Sequence, residues 1–250
     1  MELSVGSRTD PGPRKMNQDY HGWWPELGLG VVADGMGGHN AGEVASHLAV
    51  ETIHQFIAES AQTRDITWPF GLEVKSSVEV NRLTTAVRLA NRRIYAESIK
   101  AAGLSGMGTT VVAALIAGEK IVLVSVGDSR IYRLRGGALE QLTSDDTWLA
   151  SVLGAQGAED ADPAHPLRHV LTSVVGTKDD LKLESREEVL RAGDTLLLCS
   201  DGIHGKLDPS ALTSLLASGS SASDRASKLV SEAITRGTTD NATALVIAVS

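Results

Sequence analysis

The sequence predicts an α+β fold in which layered sheets are covered by helices, and three observations carry that expectation. Short apolar and β-branched runs flank glycine turns, 109–117 with 120–126 around Gly118-Glu119 and 129–134 with 138–142 around Gly136-Gly137, as antiparallel hairpins do. Two long amphipathic helices stand in succession before these hairpins, which disfavours a strictly alternating parallel fold. Apolar strands then return late in the chain, each beside an Asp-Gly or Asp-Asn step.

The first strand is the run LGVVA at 29–33, bounded by Gly28 and by an Asp34-Gly35 turn. Ala45, Leu48, Ala49, Thr52, Ile53, Phe56 and Ile57 recur at steps of three and four, so a helix follows with one face for a sheet to cover. Residues 60–78 read as a loop. Val80, Leu83, Thr84, Val87, Ala90 and Ile94 mark a second helix, ending near Gly103, where a left-handed cap suits glycine. After the hairpins, 144–180 is rich in Gly, Pro, Asp and His with weak periodicity, and is expected to be an irregular, flap-like segment bordering a site. TLLLC at 195–199 is a strand ending in Asp201-Gly202, 212–216 and 226–234 are helices, and ATALVIAV at 242–249 is a closing strand entered through Asp240-Asn241.

Length and composition point to one domain spanning 1–250: of 250 residues, 42% are hydrophobic and 22% charged, as in ordinary globular chains. The single cysteine, Cys199, excludes a disulfide framework and fits a reducing, cytoplasmic setting. No stretch approaches the roughly 18 apolar residues of a membrane helix, so a soluble chain is expected. A formal net charge of −8 disfavours nucleic acid and anionic lipid as partners, since both need a basic face.

Four aspartates stand at the ends or starts of these segments: Asp19, Asp34, Asp201 and Asp240. An Asp-Gly pair alone is a common turn. Several carboxylates held at sheet edges are another matter, because they repel unless a cation neutralises them, and oxygen ligands without His or Cys favour magnesium or manganese. The loop GMGG at 35–38 fails as a nucleotide-binding fingerprint, since its third glycine would fall at Asn40 and Asp34 would repel a pyrophosphate. Arg14 offers a guanidinium fork that matches two phosphate oxygens. Cys199 lies inside an apolar strand, where burial blunts a thiol, so cysteine-based nucleophilic chemistry is excluded.

Seven segments in order, RKMNQD (14–19), VVADGMGGHNAGEVAS (31–46), GMGTTVV (106–112), GDSRIYR (127–133), LTSVVG (171–176), LCSDGI (198–203) and TDNATALV (239–246), resemble the type-2C (PPM) metal-dependent serine/threonine protein phosphatases over nearly the whole chain. The resemblance implies a four-layer α-β-β-α sandwich of two antiparallel sheets flanked by helices. It implies two divalent cations, Mn2+ or Mg2+, held by Asp19, Asp34, the Gly35 carbonyl, Asp201 and Asp240, with Asp34 shared between them. Two such ions about 3.5–4 Å apart lower the pKa of a bridging water that attacks phosphorus in line. Arg14 matches the residue that grips the substrate phosphate. The implied partner is a phosphorylated protein, the product of a cognate Ser/Thr kinase.

Three departures from the family pattern stand out. Gln18 replaces a frequent Glu, and Met36 replaces the histidine that many eukaryotic members carry after the bridging Asp-Gly, as bacterial members often do; His39 is not assumed to replace it. Gly205 replaces a frequent Asp that, with the residue matching Asp128, helps hold a third ion. A third ion on Asp128 and Asp201 is therefore expected to be weak, aided by His204 or Asp208. Two readings from other classes are a catalytically silent phosphoprotein-binding module and a hydrolase of small phosphorylated metabolites.

Overall fold

The computed structural model describes residues 1–38, 41–63, 67–162 and 165–250, without the side chains at 155, 156 and 158–160. Strands are β1 (Leu3–Asp10), β2 (Asp19–Trp24), β3 (Leu29–Met36), β4 (Gly108–Thr109), β5 (Val111–Ala117), β6 (Lys120–Val126), β7 (Arg130–Arg135), β8 (Ala138–Gln141), β9 (Glu184–Val189), β10 (Thr195–Cys199) and β11 (Ala242–Val249). Helices are α1 (Ala41–Gln62), α2 (Val78–Lys100), α3 (Trp148–Asp160), α4 (Asp201–His204), α5 (Pro209–Ala217) and α6 (Ala222–Thr235). One antiparallel sheet runs β1-β11-β10-β7-β8 and the other β2-β3-β5-β6-β9, with β4 paired to β3.

Strand alternation divides the apolar residues among three cores. Leu29, Val31 and Ala33 of β3 face α1 and α2, together with Ala45, Ile53, Leu83 and Ile94. Leu197 and Cys199 of β10, with Ala244 and Val246 of β11, face α4, α5 and α6. Val32, Val112 and Leu123 of one sheet meet Leu196, Leu198, Leu245 and Ile247 of the other. Three cores separate four layers, the α-β-β-α sandwich expected. Both faces of the central strands are buried, so they read as continuous apolar runs.

Several local expectations are corrected. The segment through Asp34-Gly35 does not turn: β3 continues to Met36, and Asp201-Gly202 opens α4. Neither glycine has a positive φ. Their need for glycine is close approach, since a Cβ on Gly35 would overlap the Gly42 carbonyl and one on Gly202 the Asn241 carbonyl. Alanine at position 35 should therefore lower stability by about 1–3 kcal/mol, the usual cost of overpacking, visible as a lower urea midpoint; an unchanged midpoint would contradict this reading. Helix α2 stops at Ala101 in an extended conformation, and the left-handed glycine is Gly106 (φ 73°), not Gly103. The irregular segment contains α3, broken at Gly154 (φ 75°).

Candidate metal centre

The polar residues of interest gather at one end of the sandwich because five chain segments end or begin there. Asp19 opens β2 directly opposite Asp34 in β3, so the two carboxylates share a sheet face. Asp128 sits in the turn from β6 to β7, Asp201 follows β10, and Asp240 precedes β11. The backbone of Asp34 is clamped: its N–H donates to Thr110 Oγ1 (3.1 Å), and its carbonyl accepts from Thr110 N–H (2.8 Å) and Thr109 Oγ1 (2.9 Å). Thr110 Oγ1 in turn lies 2.8 Å from Ser129 Oγ, joining this strand to the Asp128 turn.

Asp19 links the two sheets. Its buried Oδ2 accepts from Ser200 Oγ and Thr243 Oγ1, both at 2.7 Å. Ser200 stands at the start of α4 but makes no side-chain cap there, its hydroxyl being engaged with Asp19 and with the Thr243 N–H. Asn241 fixes the loop that carries Arg14: its amide donates to the carbonyls of Pro11 and Met16 (2.9 Å each), and its Oδ1 accepts from Gln18 N–H (2.8 Å). Arg14 lies against the cluster, Nη2 donating to Asp240 Oδ2 (2.7 Å) and Nε to the Thr239 carbonyl (2.8 Å). Ser200, Thr243 and Asn241 escaped sequence reasoning, although each adjoins or lies near an aspartate inside a quoted motif.

The electrostatics are those of a carboxylate cluster in which burial and mutual repulsion outweigh the flanking Arg14 charge. Burial, then repulsion from Asp19, Asp201, Asp128 and Asp240, holds the Asp34 carboxyl well above the usual range. Burial lifts Asp19 to about 7 against the hydrogen bonds from Thr243 and Ser200, and burial with Asp201 and Asp145 nearby lifts Asp128 to about 7. Asp201 is raised by burial and by Asp240. Among the described residues, Asp19 Oδ1 and Asp201 Oδ1 are buried with no hydrogen-bond partner. Orphaned oxygens and self-repelling carboxylates are what divalent cations satisfy, so the donor set fits hard ions.

The positions expected to assist a third ion are engaged elsewhere. Asp208 caps α5, its Oδ1 accepting from Ala211 N–H (2.9 Å) and Ser210 Oγ (2.6 Å). His204 is half-buried, with Nε2 3.0 Å from the Asp128 carbonyl. Burial and the Arg130 charge hold its imidazole well below the usual range, hence neutral. Instead, ligand atoms of Asp128, Asp201 and His169 lie within 4.8 Å of one another. His169 was not singled out from the sequence: His165 stands four residues before it, but in a stretch without helical periodicity that spacing marks no shared face. His39 lies outside the described residues. Cys199 is fully buried, and burial pushes its thiol up to about 12, so it is unsuited to nucleophilic catalysis.

The sequence model of the family described as protein phosphatase 2C matches residues 14–236. The serine/threonine phosphatase stp of Listeria welshimeri is 34% identical over 249 residues, covering 96% of this chain and 93% of its own. Among solved structures, PppA, a key regulatory component of T6SS in Pseudomonas aeruginosa, aligns with TM-score 0.84 and 34% identity over 100% of this chain and 99% of its own. The catalytic domain of the serine/threonine protein phosphatase PstP, in complex with two manganese ions, aligns with TM-score 0.81 and 31% identity over 99% of this chain and 98% of its own. On the extent of these matches, the chain belongs to the protein phosphatase 2C family.

Proposed function

We propose that Asp34, Asp201, Asp240, Asp19 and the Gly35 carbonyl hold the two Mn2+ or Mg2+ ions of a protein serine/threonine phosphatase, with Arg14 as the phosphate-binding residue. The observation that carries this reading is the convergence of four aspartates around Asp34, each contributing to the rise of its carboxyl. When bound, the cations supply a water acidic enough to attack phosphorus near neutral pH and a positive field for the phosphoryl oxygens. Asp34 would serve both ions, and Thr109 and Thr110 fix its position by holding its backbone. Arg14 borders the cluster through Asp240, where its fork can take phosphate oxygens as charge builds on them. Met36 stands half-exposed beside the cluster and has no proton to give a leaving group.

A groove of about 790 Å³ adjoins the cluster, lined among others by Asp128, Arg168, His169, Asp201 and Lys206. Its size, with Arg168 and Lys206 in its lining to meet a phosphate, suits a phosphorylated polypeptide, in line with relatives named as serine/threonine phosphatases. We further propose that residues 1–250 act as one catalytic unit, with 144–180 as a flap-like wall of this groove. We place it in the cytoplasm, opposing a cognate Ser/Thr kinase, without nucleic-acid or membrane partners. No helix among the described residues is long and apolar enough to cross a membrane.

Kinetics of Arg14→Ala on phosphoserine peptides and on sugar phosphates test this function. The unmodified protein should turn over the peptides faster. The variant should lose roughly 10–100-fold in kcat/KM, since hydrogen bonds to a charged group are worth about 1.5–3 kcal/mol. Metal affinity should change less than roughly fivefold, because the exposed Arg14–Asp240 pair is worth about 0–1 kcal/mol. Faster turnover of sugar phosphates would favour the metabolite hydrolase. Collapse of metal binding at constant KM would make Arg14 structural.

A further inference from the structure

We propose that the outer edge of β2 is a docking site for an extended segment of a partner protein, one with basic residues at alternate positions and apolar residues between them. Each sheet of the sandwich ends in two edge strands, β1 and β8 in one and β2 and β9 in the other. An open edge offers unpaired N–H and C=O groups to another strand, and proteins blunt such edges with charge or brevity. Three of the four are blunted. Strand β9 is charged at four of its six residues, β8 has only four residues, and β1 carries the paired Arg8 and Asp10. The β8 and β9 sides are also stitched together across the sandwich by Arg133–Glu140 (2.6 Å), Arg133–Glu188 (2.9 Å) and Arg186–Glu140 (3.3 Å). Strand β2 is different: it runs for six residues, DYHGWW, and its one carboxylate, Asp19, is buried in the cluster.

The two faces of β2 specify what an added strand must carry. On the helical side, Trp24 lies over Gly22, where a Cβ would overlap its ring, and stacks on His54 of α1 (ring centroids 4.2 Å apart, 7° between planes). Tyr20 stacks on His47 in the same way (3.6 Å). Between these aromatics and α1 opens a groove of about 450 Å³ that carries Glu51 and Glu59. Glu59 accepts from the neutral amide of Gln55 (2.9 Å), and Arg93, also in the lining, is turned to Thr52 Oγ1 (3.0 Å). On the other side, Trp23 of β2 and Leu3 and Val5 of β1 are partly buried against the margin of the inter-sheet core. Side chains of a strand alternate between faces, so a strand laid beside β2 would set every second residue over the groove and the rest against that margin. Carboxylates on the first face call for Lys or Arg, and the second face calls for apolar side chains. A second copy of this chain does not meet that demand. Antiparallel pairing of β2 with itself would keep both grooves on one face and bring their acidic residues together, in a chain of net charge −8.

The probe is an acetylated, amidated peptide of alternating Lys and Val, with the corresponding Glu-Val peptide as control, read on the full chain by heteronuclear NMR and amide hydrogen exchange. The Lys-Val peptide should shift the β2 and α1 resonances and slow exchange at alternate amides of 19–24, as their outward N–H groups become bonded. The Glu-Val peptide should do neither. Glu51→Lys combined with Glu59→Lys, both exposed and outside the carboxylate cluster, should weaken the Lys-Val peptide at least about tenfold and admit the Glu-Val one. N-methylation of the lysines alone or of the valines alone separates strand pairing from charge: the set whose N–H groups would face β2 should lose binding, and the other should keep it. Shifts that spare β2, binding that survives both methylations, or unchanged affinity in the double variant would each overturn the inference. So would a dimer of the unliganded chain in sedimentation whose formation protects the β2 amides, since a second copy would then hold the edge.

Discussion

Asp34→Asn is expected to abolish phosphatase activity, by at least about a thousandfold in kcat, because on the proposed assignment it would take a shared carboxylate from both cations at once, and metal catalysis supplies several kcal/mol. The fold should survive. Asparagine keeps the volume of aspartate, and the contacts that fix this residue, to Thr109 and Thr110, run through its backbone. The metal-free variant should in fact be more stable than the metal-free parent at pH 8, since it removes the carboxyl that four neighbours repel. Circular dichroism, thermal melts and bound-metal analysis check the three parts. A folded, metal-replete Asp34→Asn protein with retained turnover would overturn the assignment of Asp34.

How much of this architecture the sequence discloses depends on how each segment is buried. Strands β3, β5, β6, β10 and β11 are covered on both faces and stand out as apolar runs. Strands β1, β2 and β9 do not stand out, and each lies at a sheet edge. Strand β9, ESREEV, is charged at four of its six residues and mostly exposed, as an edge that must resist pairing with another chain tends to be. Its pairing with β6 depends on register and on ion pairs such as Lys120–Glu187 at 2.7 Å, which leave no periodic trace. At the site, the aspartates were legible because a cluster of strand-end carboxylates is chemically unusual. The residues that orient them, Ser200, Thr243 and Asn241, are ordinary polar types whose roles arise only from contacts more than 180 residues distant in sequence, as between Ser200 and Asp19. The Asp-Gly steps were misread as turns because the composition of a turn and that of a close backbone approach are the same.

Metal removal should destabilise the protein in a pH-dependent way. In the metal-free fold, burial lifts Asp19 and Asp128 from 3.8 to about 7, so between these values the folded chain holds protons that the unfolded chain has released. A folded pKa above the unfolded one gives stability that is full below about 4 and is lost as pH rises through 7. The metal-free protein should therefore melt at progressively lower temperature from pH 4 toward pH 7, with no further loss from these two groups above about 8. Cations that replace those protons reverse the trend, and their binding should release protons into the buffer. The difference in Tm between loaded and chelated protein should consequently be small at pH 5 and large at pH 8, on the order of 10 °C if the cluster is worth a few kcal/mol. Asp128→Asn should flatten part of the slope in the metal-free state, as one of the two titrating carboxyls is gone. Melting curves at pH 5, 6, 7 and 8, with and without chelator, decide the matter: a metal effect of equal size at pH 5 and 8 would mean that the carboxylates are not the groups the cations relieve.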